Sequence, residues 1–273
     1  MIGNPNDKPA AASQTTESTT RRPIQLTSEK SRWLRIRRRL MRLVGDILFT
    51  WTSCRINAQH TERLPRKGPV IMIFNHVTGI DPIMAGIMIR DRDNVPIGKI
   101  ELVHNPLHRL ILAIWNVILV RRGEMDMTAL RRCLDVLNSA DFLSIAPEGT
   151  RSRGGLRDPK DGFVMLAARS NAVIVPCGVS GTEHLKANVR RFRRTPIMVD
   201  YGRPLRLKGK ISRQQYHDAA GELMYQIALL IPPELRGIYG DLSKATMNHI
   251  EYAEEPQPSA EALSEPDPAN ART

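Results

Sequence analysis

The chain has 273 residues, 41% of them apolar, which is enough for one sizeable hydrophobic core. Its formal charge is +12, and because residues 251–273 hold six acids and one arginine, the residues before them carry +17. A charge of this sign favours polyanionic partners such as phospholipid headgroups, phosphorylated substrates, coenzyme A or nucleic acid. The three cysteines form no metal-ligand pattern, which indicates reduced thiols in a cytosolic setting.

Both ends of the chain are predicted to be disordered. Residues 1–27 are aperiodic and rich in Ser, Thr, Ala and Pro, and residues 251–273 combine their acids with four prolines. Residues 1–20 are polar, so no export signal is expected. The sequence therefore predicts one folded domain over residues 28–250, between two disordered tails.

The first predicted element is a basic amphipathic helix over residues 31–51. Apolar residues recur on one face at gaps of three and four positions, and arginines occupy the other sides. Its apolar stretch is short and contains Asp46, so it cannot span a bilayer. A basic helix with tryptophan on its apolar side is typical of the membrane interface. Packing on its own domain with a solvated basic face is the alternative.

The segment FNHVTGID, residues 74–81, follows a predicted buried strand and places His76 five positions before Asp81. On one helix five residues span about 500°, so the two side chains would point apart. They can meet only across a turn, which Gly79 is suited to form. The carboxylate would then fix the imidazole tautomer and stabilise the imidazolium, making His76 a candidate general base. The alternative is structural, because Asp81 followed by Pro82 also resembles a helix N-cap and first helical residue, and Asn75 and His76 could simply satisfy backbone groups in a strand-to-helix turn.

Strand-like and helical patterns alternate along the rest of the chain. This alternation predicts an α/β domain with a largely parallel sheet flanked by helices. In such sheets the reacting groups gather beyond the carboxyl ends of the strands, which is where His76 lies. The predicted strands are 69–74, 95–98, 117–120, 141–146, 173–179 and 196–201, and the predicted helices are 82–91, 107–115, 127–139, 160–170 and 212–231.

A second candidate loop follows the strand predicted over residues 141–146. Its sequence, APEGTRSRGG (residues 146–155), carries Glu148, Arg151 and Arg153 among glycines. Glycines with flanking guanidinium groups suit an oxyanion or phosphate cradle. A surface turn with solvated charges is the alternative.

Four segments, taken in order, resemble the motif blocks of the glycerolipid acyltransferases, the superfamily of the 1-acylglycerol-3-phosphate acyltransferases. NHVTGID is similar to their NHx4D block and VILVRRG to a block that ends in arginine. APEGTRSR is similar to their PEGTRS block and VIVPCGV to a fourth, proline-bearing block. The similarity covers roughly residues 65–205, and NHx4D followed by PEGTRS about seventy residues later is a specific combination.

The resemblance implies an acyltransferase that needs no cofactor or metal and takes its acyl group from acyl-CoA or acyl carrier protein. The acceptor would be a lysophospholipid, with 1-acylglycerol-3-phosphate giving phosphatidic acid as the first expectation and another lysolipid or a glycolipid as the alternative. His76 would deprotonate the acceptor hydroxyl and Asp81 would orient His76, without a covalent acyl-enzyme. The residues implied to bind substrate, several of them around the acceptor phosphate, are Lys99, Arg122, Glu148, Gly149, Thr150, Arg151 and Lys160.

Three positions depart from the family pattern. Ala146 stands where relatives usually have phenylalanine, Asn116 where glycine is usual, and Pro159 where an aromatic residue is common. These changes leave the His, Asp, Glu and Arg chemistry in place. They bear on the shape of the acceptor and on the preferred length of the acyl chain.

A basic helix without a spanning segment predicts a peripheral or monotopic enzyme on the cytoplasmic face of the membrane, in contact with anionic lipid. The alternative from another class is a basic protein that binds nucleic acid or membranes without catalysis. The +17 charge and the arginine-rich stretch at residues 190–194 would suit that alternative. However, only 5% of residues are aromatic and no nucleic-acid recognition motif is present, so nucleic acid is not the expected partner.

Overall fold

The computed structural model describes four stretches and three single residues, namely 54–89, 92–104, 115–121, 126–253, Leu40, Arg109 and Leu112. Leu40 is helical, but the rest of the helix predicted over 31–51 lies outside the described residues. The tail predicted over 1–27, the chain from residue 254 onward and most of the helix predicted over 107–115 also lie outside them.

Nine strands lie within the described residues and form one sheet. They are β1 Cys54–Gln59, β2 Val70–Phe74, β3 Asn94–Lys99, β4 Ile118–Val120, β5 Phe142–Ile145, β6 Val173–Ser180, β7 Thr195–Tyr201, β8 Leu205–Leu207 and β9 Ile250–Tyr252. The sheet order is β1-β7-β6-β2-β5-β3-β4, with β8 pairing β6 and β9. Five pairings are parallel and three, all at β6 or β8, are antiparallel. The predicted α/β class with a largely parallel sheet is confirmed.

The six predicted strands are all present, each with bounds within one residue of the prediction. The sequence patterns did not indicate β1, β8 or β9. Both β8 and β9 have only three residues, and β1, at the edge of the sheet, has one buried residue followed by exposed and partly exposed ones. The last strand carries the described fold to Tyr252, two residues past the domain boundary predicted at residue 250.

Five α-helices lie within the described residues, namely α1 Asp81–Gly86, α2 Met127–Asn138, α3 Gly162–Ser170, α4 Leu185–Arg190 and α5 Tyr216–Ala228. The helix predicted over 82–91 is shorter than expected, since α1 ends at Gly86. The reason lies in the packing at that residue. A Cβ at Gly86 would lie 2.0 Å from the side-chain nitrogen of Asn94, so the chain passes close to the start of β3 at this point. The sequence patterns also missed α4.

The hydrophobic core lies on both faces of the sheet, and successive side chains of β2 point alternately to the two faces. All five residues of β2 are buried. Ile71 and Ile73 face the cluster formed with α2, α3 and α5, whereas Val70, Met72 and Phe74 face the cluster that includes α1. A strand packed on both faces is held firmly, so the residues that follow β2 start from a fixed position.

Strands β2 to β6 all run in one direction, so their carboxyl ends share one edge of the sheet, here called the carboxyl edge. Strands β1 and β7 run in the opposite direction and begin at this edge. Gly181 makes the turn that follows β6 there, with a φ of +89°. A Cβ at this position would lie 2.2 Å from the backbone oxygen of Pro196 in β7. The turn therefore requires glycine for its conformation and for its close contact.

Gly181→Ala should lower the free energy of unfolding by at least about 2 kcal/mol, because alanine disfavours this φ and its methyl group would push β7 away. Gly221→Ala is the matched control, since Gly221 lies inside α5 and a Cβ there would meet nothing within 4 Å. That substitution should stabilise the protein by about 0.5–1 kcal/mol. Urea denaturation of both variants measures the difference, and a Gly181→Ala protein as stable as the wild type would contradict the assigned contact.

Candidate active site

The carboxylate of Asp81 lies fully buried at the centre of the turn that follows β2. Its Oδ2 accepts hydrogen bonds from the backbone N–H groups of Val77 and Thr78, both at 2.6 Å. Its Oδ1 accepts from the hydroxyls of Thr78, at 2.9 Å, and Thr182, at 2.6 Å. These four donors hold the carboxylate in one position and fold the turn around it.

The N-cap alternative for Asp81 is wrong. The N-cap residue of α1 is Ile80, Asp81 is the first helical residue and Pro82 the second. The carboxylate binds N–H groups in the preceding turn rather than those of the helix that follows. Asp81 therefore organises the turn that carries His76.

The turn brings His76 to Asp81, with 3.4 Å between Nδ1 of the imidazole and Oδ2 of the carboxylate. The imidazole is 19% exposed and the carboxylate is not exposed at all. An ionised carboxylate only accepts hydrogen bonds, so Nδ1 must carry the proton and Nε2 is the basic atom of the neutral ring. A separation of 3.4 Å is longer than an ideal N–H···O bond. The hydrogen bonds of catalytic histidines are often long without substrate and shorten in the complex, so this distance is compatible with such a role.

Asn75 fixes the backbone immediately before His76. Its side-chain nitrogen donates to the carbonyl oxygen of Val179, and its side-chain oxygen accepts from the N–H of the same residue, both at 2.8 Å. Val179 lies in β6, the neighbour of β2. The buried amide thus continues the contact between β2 and β6 past the end of β2.

The loop at residues 146–155 holds the backbone of His76 from the other side. The N–H of His76 donates to Oε1 of Glu148 at 3.2 Å, and the N–H of Ser152 donates to the carbonyl oxygen of His76 at 2.8 Å. The second oxygen of Glu148, Oε2, is buried and has no hydrogen-bond partner among the described residues. The two sequence motifs therefore meet through the peptide groups of His76, and one carboxylate oxygen is left available for a further contact.

Glu148 has a strongly altered acidity. Burial raises the pKa of Glu148 to about 7. The hydrogen bond from the N–H of His76 lowers this pKa, and so do the nearby N–H group and guanidinium charge of Arg157, although that N–H forms no hydrogen bond with Oε2. The charge of Asp81 adds to the increase. Near neutral pH this carboxyl group can therefore be either protonated or ionised.

The rest of the loop places cationic side chains beside the turn. Gly149 has a φ of +64°, and a Cβ on it would lie 3.7 Å from Cγ of Lys160, so the lysine side chain passes over it. A Cβ on Gly79 would lie 3.9 Å from Nη1 of Arg151, which places this guanidinium beside the turn between His76 and Asp81. A pocket of about 300 Å³ adjoins the loop, and its lining includes Arg151, Ser152, Arg153, Leu156, Arg157 and Ile238.

The structure does not bring every predicted residue into contact with this centre. Thr150 is exposed on the loop, and Lys99 ends β3 at the carboxyl edge, two strands away from β2. Arg122 lies outside the described residues. The predicted roles of the site residues in catalysis and binding stay predictions.

Thr78 and Thr182 help to build the centre although the sequence patterns did not indicate them, and Asn75, expected at most to satisfy backbone groups in the turn itself, binds a neighbouring strand. Thr182 approaches Asp81 across a separation of 101 residues, and Asn75 reaches Val179 across 104. The available signal for Thr182 was a hydroxyl residue directly after the glycine that ends a buried strand. Nothing in the local pattern indicated Asn75 as a link between strands.

Two kinds of feature are absent from the part of the chain that the structure describes. It holds no cluster of three or more His, Cys, Asp or Glu side chains placed to bind a metal ion. None of its helices is long and apolar enough to cross a membrane. The three cysteines, Cys54, Cys133 and Cys177, are buried and form no disulfide.

Residues 55–180 match the family model described as Acyltransferase. They contain the turn that carries His76 and Asp81 and the loop at residues 146–155. The 1-acyl-sn-glycerol-3-phosphate acyltransferase of Borreliella burgdorferi is 28% identical over 148 residues, which cover 53% of this chain and 59% of the relative. The protein of the same name from Haemophilus influenzae is 28% identical over 145 residues, covering 51% and 59%. The chain therefore spans somewhat more than half the length of these two relatives.

The fold has a counterpart among solved structures. The 1-acyl-sn-glycerophosphate acyltransferase PlsC from Thermotoga maritima superposes with a TM-score of 0.56, covering 75% of this chain and 84% of that one. The sequence identity is 21%, so the likeness is one of fold.

The pKa of Glu148 predicts a specific dependence of stability on pH. Since the pKa is raised on folding from 4.5 to about 7, the wild type is most stable relative to a Glu148→Gln variant below pH 4.5. It should lose up to about 3 kcal/mol of this advantage between pH 4.5 and 7, and no more above that. Urea denaturation of both proteins at pH 4, 6 and 8 measures the change, and a constant difference would contradict the buried, raised carboxyl group.

Proposed function

Because this chain belongs to the glycerolipid acyltransferase superfamily, we propose that it transfers a fatty acyl group from a thioester to the free hydroxyl of a lysophospholipid. The proposed acceptor is 1-acylglycerol-3-phosphate and the product phosphatidic acid, as the names of its relatives suggest. The donor is acyl-CoA or acyl carrier protein, which present the same thioester. The observation that carries the proposal is the buried Asp81 carboxylate beside Nδ1 of His76.

The chemistry follows from the orientation of the imidazole. With the proton on Nδ1, Nε2 of His76 removes the proton from the acceptor hydroxyl as its oxygen attacks the thioester carbonyl carbon. A new C–O bond forms, the C–S bond breaks, and the imidazolium returns the proton to the departing thiolate. Asp81 stabilises the transient positive charge on the ring. General base catalysis of this kind contributes about 10²–10⁴-fold to the rate.

The loop at residues 146–155 and basic residues outside it supply the acceptor contacts in this proposal. Arg151, beside the turn, and Lys160, which crosses Gly149, would bind the phosphate of the acceptor. The unpartnered Oε2 of Glu148 would accept a hydrogen bond from the acceptor glycerol when ionised, or donate one when protonated. Lys99, which lies at the same edge of the sheet, and Arg122 would add positive charge.

The location of the enzyme is part of the same proposal. A lysophospholipid is presented at a membrane surface, so the enzyme would act from the cytoplasmic face as a peripheral or monotopic protein. The charge of +17 before residue 251 would attract it to anionic lipid. The helix predicted over residues 31–51 would provide an interfacial anchor.

His76→Ala should lower kcat for acyl transfer by about a hundredfold or more, because it removes the general base. Its free energy of unfolding should stay within about 1 kcal/mol of the wild type, since the imidazole is partly exposed and its backbone contacts remain. The matched control is His184→Ala, an exposed histidine close to Thr182, which should keep full activity. Wild-type turnover in His76→Ala would contradict the proposal.

Asp81→Asn should differ from His76→Ala by losing both activity and stability. An asparagine cannot accept at both side-chain positions, so at least one of the buried donors that face Asp81 is left unsatisfied, at a cost of about 1–3 kcal/mol. Parallel measurements of kcat and of urea denaturation separate the two effects.

Arg151→Ala and Lys160→Ala should each raise the KM for a phosphorylated acceptor by about tenfold or more, with a smaller change in kcat. The loss of one charge-assisted contact costs roughly 1.5–3 kcal/mol. An acceptor without phosphate should show little change, and Arg169→Ala, an exposed arginine on α3, is the control substitution. Unchanged KM in both variants would exclude a phosphate site at this loop. Assaying each with acyl-CoA and with acyl carrier protein would also identify the donor.

A further inference from the structure

The short helix α4 ends in a turn that presents an aromatic side chain to solvent. Phe192 is fully exposed and has a φ of +52°. The turn is closed by hydrogen bonds from the N–H of Phe192 to the carbonyl oxygen of Val189, at 3.1 Å, and from Arg193 to Asn188, at 2.9 Å. This left-handed position after a helix is usually occupied by glycine, because a side chain is disfavoured there. Phe192 therefore gives the fold neither packing nor a favourable backbone conformation.

The neighbours of Phe192 combine apolar surface with positive charge. Val189, on the same turn, is 47% exposed. The guanidinium groups of Arg190, Arg191 and Arg193 are exposed, and among the described residues no carboxylate lies within 4.0 Å of them. We call residues 189–193 the basic turn. It combines two exposed apolar side chains with three exposed arginines.

The basic turn lies at the carboxyl edge of the sheet, as the candidate active site does. The segment that carries it begins at Thr182, whose hydroxyl donates to Asp81, and ends where β7 begins. Directly after the turn, Arg194 donates from Nη2 to the carbonyl oxygen of Cys54, the first residue of β1, at 2.8 Å. Cys54, where β1 begins, therefore lies at the same corner as the basic turn.

We propose that the basic turn is a membrane-docking element, with Phe192 and Val189 entering the headgroup region and the three arginines binding lipid phosphates. Exposed apolar side chains beside basic ones suit an anionic bilayer surface, where acyl chains take up the apolar groups and lipid phosphates bind the basic ones. Single-stranded nucleic acid can also bind to arginine and phenylalanine side chains. However, its binding sites stack successive bases on several aromatic side chains. Among the described residues only Phe192 and Tyr252 are exposed aromatics. Tyr252 pairs with Leu205, which faces Ile174 near the start of β6, at the opposite edge.

The test is sedimentation of the full chain with vesicles containing three parts zwitterionic and one part anionic phospholipid. Phe192→Ala should weaken the partition coefficient by about tenfold or more, at low and at high salt, because apolar burial is not screened. Arg191→Ala with Arg193→Ala should weaken it by roughly twentyfold at low ionic strength, with most of the effect lost at 0.5 M salt. The control variants at the opposite edge, Tyr252→Ala and Lys208→Ala with Lys210→Ala, should change it by less than about twofold.

Phe192→Gly separates docking from structural damage. Glycine tolerates the left-handed φ, so this variant should have a melting temperature equal to or a few degrees above the wild type while binding vesicles as weakly as Phe192→Ala. Wild-type vesicle binding by the Phe192 and arginine variants would overturn the proposal. Loss of binding to single-stranded or duplex DNA with intact vesicle binding would also overturn it and indicate a nucleic-acid surface. Since vesicle binding requires no catalysis, the result does not depend on the proposed acyltransferase activity.

Discussion

The buried carboxylate of Asp81 is the constraint on which the candidate site depends. It accepts two N–H groups and two hydroxyls, and these donors come from the turn after β2 and from the segment after β6. A carboxylate without exposure must be satisfied in this way, because burying an unpaired charge is costly. Satisfying it folds the turn, joins two strand ends and sets the position of His76. The same oxygen that organises the backbone also faces the imidazole, so structure and proposed chemistry share one group.

The two carboxyl groups near His76 have different environments, which is how a site can assign them different tasks. Asp81 is surrounded by donors. Glu148 accepts from the N–H of His76 with one oxygen, has no partner among the described residues for the other, and has a pKa of about 7. This contrast suits Asp81 to orient the imidazole and Glu148 to respond to what binds. A substrate hydroxyl would complete the hydrogen bonding that the protein leaves open.

The candidate active site and several positively charged side chains lie together at the carboxyl edge of the sheet. His76, Arg151 and the basic turn all lie on segments at this edge, and β1, which follows the predicted interfacial helix, begins there. In the proposed function the acceptor comes from a lipid surface, so the reacting groups and the cationic contacts must face the same way. A site that opened at the opposite edge, near β8 and β9, would separate them.

The sequence by itself determined the six strands β2 to β7, the α/β class and the positions of the two candidate loops, because buried strands and the turns after them leave local patterns of apolar residues, glycine and proline. It also indicated a His–Asp pair and an arginine-rich loop as the candidate site. Only the tertiary structure decided that Asp81 turns back to its own loop and does not cap α1. It alone brought Thr182 to Asp81, Asn75 to Val179 and Glu148 to His76, across 101, 104 and 72 residues. It also set the pKa of Glu148, which depends on burial. A buried hydrogen bond between residues so far apart depends on which strands become neighbours, and no local pattern carries that information.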